Sequence, residues 1–131
     1  MPRTTNKLKN ERGQTMTELA LVLPILVVLV LAIAQFGVAF NNYVTLTDAA
    51  RAGARKAAVS RNASDPASDC VNAVRNAAGD LNLSNLTVSC SSSWGIGSDV
   101  TVTATYPYEI SLLDWVVKSG SLTTTMKERV E

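Results

Sequence analysis

Apolar residues are gathered near the beginning of this chain. From Leu19 to Ala34 no side chain is polar; Gln35 interrupts once, and Phe36-Gly37-Val38-Ala39-Phe40 continues the run. As a helix, Leu19–Phe40 would be about 33 Å long, enough to cross the hydrocarbon core of a bilayer. A helix that is apolar on every side cannot be buried by the small remainder of the chain. Pro24 falls near its start, where a helix end or mild kink tolerates it. Phe36, Phe40 and Tyr43 fall at the far end, where aromatic residues suit a membrane interface.

Beyond Phe40 the pattern predicts that the helix continues and changes character. "TLTDAARAGARKAAV" is rich in helix formers, and Ala50, Gly53, Ala54 and Ala57 recur at i, i+3, i+4, i+7. This helix-packing stripe of small side chains permits close approach, either to the chain's own domain or to a neighbouring subunit. "RNASDP" ends the helix, and Asp65 or Ser64 can cap a second one with Pro66 in its first turn. On that helix Cys70, Val74, Ala77, Ala78 and Leu81 share a face. The period then becomes two: Leu86, Val88 and Cys90, and later Val100, Val102, Ala104 and Tyr106, alternate with serine and threonine. "SSSWGIGSD" between them reads as a flexible connection. Pro107 is expected to stop the second strand, Glu109–Val117 to form a short helical or hooked segment, and Leu122–Arg129 to form a third strand. The fold class expected is α+β: a long transmembrane helix extending into a small domain of one further helix and a short antiparallel sheet.

Charge sharpens the front of the chain. The formal net charge is only +1, which argues against a nucleic-acid partner. Residues 1–13 nonetheless carry Arg3, Lys7, Lys9 and Arg12 against Glu11 alone. Such a leader favours the cytoplasmic side. Arg51, Arg55, Lys56 and Arg61 follow the span with only Asp48 against them, so charge bias by itself leaves orientation open. The leader charges lie closer to the span, and the leader is too short to be a translocated domain; both favour a cytoplasmic N-terminus.

The leader admits three readings: a secretory signal cut after Ala34, which would release a soluble binding protein; a plain signal anchor; or a leader removed on the cytoplasmic side while the helix stays in the membrane. "RGQTMTEL" resembles the type IV prepilin processing site. In that resemblance a prepilin peptidase cuts between Gly13 and Gln14, and Glu18 is the glutamate at the fifth mature position. The new amine on Gln14 would then lie one helical turn from the Glu18 carboxylate, which would otherwise be costly at a membrane lip. The plainer account is that Glu18 favours a helix N-terminus through the dipole.

The wider segment is similar to the N-terminal region of TadE-like proteins of the tight-adherence (Flp, type IVb) pilus system. Glu18-Leu19-Ala20-Leu21, Leu23-Pro24, Gln35-Phe36-Gly37 and Ala49-Ala50-Arg51-Ala52-Gly53-Ala54-Arg55 carry the likeness over roughly the first 60 residues. At Gln35 that family often carries an acidic residue. "LTTTMKERVE" is a weaker echo of such proteins' C-termini. The resemblance implies a leader over 1–13, a transmembrane helix over 14–40 and an extracytoplasmic α+β domain over 41–131. It also implies a pseudopilin-type protein of a bacterial cytoplasmic membrane that supports surface adherence, with a prepilin peptidase, other pilus-assembly subunits and membrane lipid as partners.

Catalytic chemistry finds no foothold in the sequence. With no histidine, the commonest general base and metal ligand are missing. No catalytic, cofactor-binding or metal residues are expected, nor a small-molecule substrate. "GIG" at 95–97 lacks the context of a nucleotide loop. Asp65 and Asp69 are better explained by helix capping than by metal binding. Cys70 and Cys90 are too few for a zinc site without histidine. They predict a disulfide if the domain is exported and buried thiols if it is not. The sequons at Asn62, Asn82 and Asn85 matter only in a eukaryotic secretory path.

Overall fold

The computed structural model describes residues 5–112 and 115–131, with side chains from Gly13 onward. The basic side chains of the leader therefore lie outside what is described. One helix, α1 (Thr5–Ala58), runs unbroken from the leader through the apolar run into the small-residue stripe. Pro24 sits inside it, where it removes one backbone bond without ending the helix. Arg55 and Lys56 occupy its last turn, where cations complement the dipole. The Ser60 hydroxyl donates to the Lys56 carbonyl at 2.7 Å, satisfying an acceptor that the helix end would leave open.

The second helix, α2 (Pro66–Ala77), starts as its sequence predicts. Asp65 is its N-cap and accepts from the Ser68 amide at 3.1 Å, and Pro66 takes the first position. Cys70, Val74, Ala78 and Leu81 are buried as expected, but Ala77 faces out. It lies at the helix end, where the chain turns toward Leu81 and carries that position off the buried face.

Three antiparallel strands follow in the order β1 (Thr87–Ser91), β2 (Asp99–Leu112) and β3 (Trp115–Arg129). Their inner face packs on the two helices around Leu46, Ala50, Ala54, Val74, Val100 and Val102, all buried. The outer face carries threonine pairs across β2 and β3, Thr103–Thr125 at 3.5 Å and Thr105–Thr123 at 3.3 Å. The chain end returns to α1: Val130 is buried, and the Glu131 amide donates to the Ala58 carbonyl at 3.1 Å. The connection after β1, expected to be flexible, is tied to this end through Gly97 amide to Val130 carbonyl and Val130 amide to Ser98 carbonyl. Trp94 packs against the core beside it.

Three expectations about the sheet are corrected. Pro107 does not stop β2; it pairs with Ser121, and β2 continues to Leu112. The last β2 residue paired with β1 is Thr105, so Pro107 stands where one side of the strand is already an edge and proline costs little. The segment Glu109–Val117 is not helical: its described residues are the end of β2 and the start of β3, and Leu113 and Asp114 lie outside the description. The third strand accordingly starts at Trp115 rather than Leu122. A register shift between Ile110 and Ser111 marks a bulge near the end of this hairpin.

Candidate processing and anchoring segment

Gly13, Gln14 and Glu18 lie on consecutive exposed turns of α1. The Gln14 side chain donates from Nε2 to Glu18 Oε1 at 3.3 Å, so helical spacing already brings position 14 onto the Glu18 carboxylate. Thr17 Oγ1 donates to the Gly13 carbonyl at 2.9 Å. That carbonyl belongs to the Gly13–Gln14 peptide bond. A Cβ on Gly13 would meet nothing within 4 Å, so no other part of the described chain covers the helix at this residue.

Past Glu18 the apolar side chains point outward. Its most apolar stretch buries none of its surface against the rest of the chain, and residues such as Leu21, Ile25, Val30, Ile33 and Phe36 are exposed. This long apolar helix suggests a membrane anchor, because water is a poor solvent for it and the protein supplies no cover.

Ala50, Gly53, Ala54 and Ala57 are buried inside the chain's own core. A Cβ added to Gly53 would collide with Val74 Cγ2 and stand 3.3 Å from the Cys70 carbonyl. The stripe therefore serves the contact between α1 and α2. Cys70 and Cys90 form a disulfide, with Cα atoms 6.4 Å apart, that joins α2 to β1 across a separation of 20 residues. Such a closure is worth about 3 kcal/mol by loop entropy.

One contact was only half legible beforehand. Gln35, the single polar residue of the apolar run, donates from Nε2 to the Ser111 carbonyl of β2 at 3.0 Å. Just above it, Phe36, Phe40 and Tyr43 of α1 face Tyr108, Ile110 and Leu122 across a cavity of about 240 Å³. The lone polar position was the available signal; its partner, 76 residues away, had none.

Among known families, residues 13–55 match the model of the family described as TadE-like protein. No curated protein and no solved structure matches the chain. The match begins at Gly13, covers the apolar run and ends inside the small-residue stripe. The chain thus carries a TadE-like domain, which ties it to the Tad pilus system and bears out the resemblance read from its sequence.

Proposed function

We propose that this TadE-like protein is a minor pseudopilin or assembly factor for Flp-type pili, structural rather than enzymatic. A prepilin peptidase removes residues 1–13. The helix from Gln14 then holds the protein in the bacterial cytoplasmic membrane, with the α+β domain on the far side, where it works with other pilus-assembly subunits in surface adherence. The observation that carries this reading is the Gln14–Glu18 contact at 3.3 Å, at the lip of an apolar helix whose family match starts at the residue before Gln14. Cleavage would put an ammonium on Gln14, within reach of the same carboxylate or of a neighbour's. The helical setting of the scissile bond, with its carbonyl accepting from Thr17, implies that the peptidase must open this turn to cut it.

The test is the intact mass and N-terminal sequence of protein recovered from membranes that contain a prepilin peptidase. A start at Gln14 in the membrane fraction supports the reading. A start at Gln35 in the soluble fraction overturns it in favour of a secreted binding protein, and an uncut chain reduces it to a plain anchored one.

A further inference from the structure

The strands β2 and β3 run alongside α1 toward its N-terminus. Near one end Met126 and Lys127 lie beside Arg51 and Arg55; midway Leu122 and Tyr108 face Phe40 and Tyr43; at the other end Ser111 is bonded to Gln35. The hairpin therefore reaches into the apolar run itself. Gln35 lies about 7 Å below Phe40 along the helix. Trp115, paired with Leu112 one step past Ser111, lies a further 3 Å or so down. If the hydrocarbon begins near Leu19, its roughly 30 Å thickness ends near Phe40. The hairpin end then sits about 10 Å inside that boundary, the depth reached by interfacial amphipathic segments.

Its side chains suit that place. Trp115, Val116 and Val117 are 83%, 58% and 62% exposed and consecutive along β3. Lys118 follows them, placed to meet a phosphate headgroup. The backbone sets the limit on depth, because strand edges left open cannot sit in hydrocarbon. The Gln35 side chain meets one such demand by donating to the Ser111 carbonyl.

We propose that the β2–β3 hairpin end, through Trp115, Val116 and Val117, is a second membrane contact that dips into the outer leaflet beside the helix and fixes the domain's tilt on the membrane. This rests on the reading of α1 as a membrane span. The occupant is lipid and not a second copy, because the contact is continuous with the exposed apolar surface of α1 and lies at its depth.

The experiment uses the full chain in phosphatidylcholine vesicles with bromine placed either near the headgroup end or near the methyl end of the acyl chains. The protein has two tryptophans, so Trp94→Phe isolates Trp115 and Trp115→Phe isolates Trp94. Trp115 is expected to lose about half its emission to bromine on the acyl chains, and Trp94 none. If Trp94→Phe does not fold, the difference between the wild type and Trp115→Phe gives the same reading. Quenching of Trp115 by aqueous iodide without loss to bromine overturns the proposal. So does a blue-shifted, bromine-insensitive emission that fades as protein is diluted in lipid, which would mean a second copy. Leu29→Trp in a chain with both native tryptophans changed to phenylalanine separates the two failures: if methyl-end bromine leaves it bright, the span itself is wrong; if it is quenched while Trp115 is not, only the hairpin contact is wrong.

Discussion

Gly37 and Gly53 sit on the same helix, yet they answer to different solvents. A Cβ at Gly37 would touch nothing within 4 Å, whereas at Gly53 it would run into Val74 and close on the Cys70 carbonyl. The difference extends to their neighbours. Around Gly37 the side chains are large, apolar and exposed: Phe36, Val38 and Phe40. Around Gly53 they are small and buried: Ala50, Ala54 and Ala57. The outer half of α1 is built to be covered by something other than this chain, and the inner half to be covered by α2 and the sheet. Side-chain size separates the exposed apolar surface of one half from the buried face of the other better than hydrophobicity does, since both surfaces are apolar. Only the half with small residues lets another backbone approach closely.

The largest expected effect confines a loss to the compact half. Replacing both cysteines, Cys70→Ser with Cys90→Ser, removes the tie between α2 and β1. It should cost the domain about 3 kcal/mol, read as a lowered urea midpoint in detergent. The fraction of protein that sediments with membranes should not change, because nothing in the outer half of α1 depends on that bridge. A protein that leaves the membrane when the disulfide is lost would show that the halves are coupled and that the comparison fails.

A sharper cut makes the same change in both halves. Gly53→Leu must displace Val74 or push α2 away, and should cost about 1–3 kcal/mol. Gly37→Leu meets open space and replaces a poor helix former with a good one, so it should leave domain stability unchanged or raise it by a few tenths of a kcal/mol. Thermal unfolding of the two variants side by side decides this. Should Gly37→Leu leave stability intact but abolish assembly, Gly37 touches a neighbouring subunit, and its half is covered by protein rather than by lipid alone.

Much of this division could be read before the structure. The apolar run, the stripe, the Asp65–Pro66 helix start and the alternation Val100, Val102, Ala104 are local signals, and each names its own periodicity. Gly13 and Glu18 were legible as a motif. The hairpin end was missed because Pro107 outweighed a period-two pattern that in fact runs on through Tyr108 and Ile110, both half-buried between exposed Pro107 and Glu109. Proline forbids a ladder bond only where a partner strand waits to receive it, and sequence alone does not say where β1 stops. Gln35 was visible as a lone polar residue, but a hydrogen bond to a main-chain carbonyl leaves no mark on the identity of Ser111.

The smallest expected effect lies at that bond, where the two halves meet. Gln35→Leu keeps the run apolar, and by composition it strengthens the membrane half. It removes the donor to the Ser111 carbonyl, a loss of about 1 kcal/mol. Global unfolding of the domain should barely register the change, because the core around Leu46 and Val102 is distant from it. Hydrogen exchange in lipid should register it clearly, as faster exchange confined to the backbone amides of residues 108–112 and 115–119. Unaltered exchange there would mean that packing of Tyr108, Ile110 and Leu122 against Phe36, Phe40 and Tyr43 holds the hairpin to α1 without help. Apolar contact alone would then join the two halves, and the polar residue in the membrane run would need another partner to explain it.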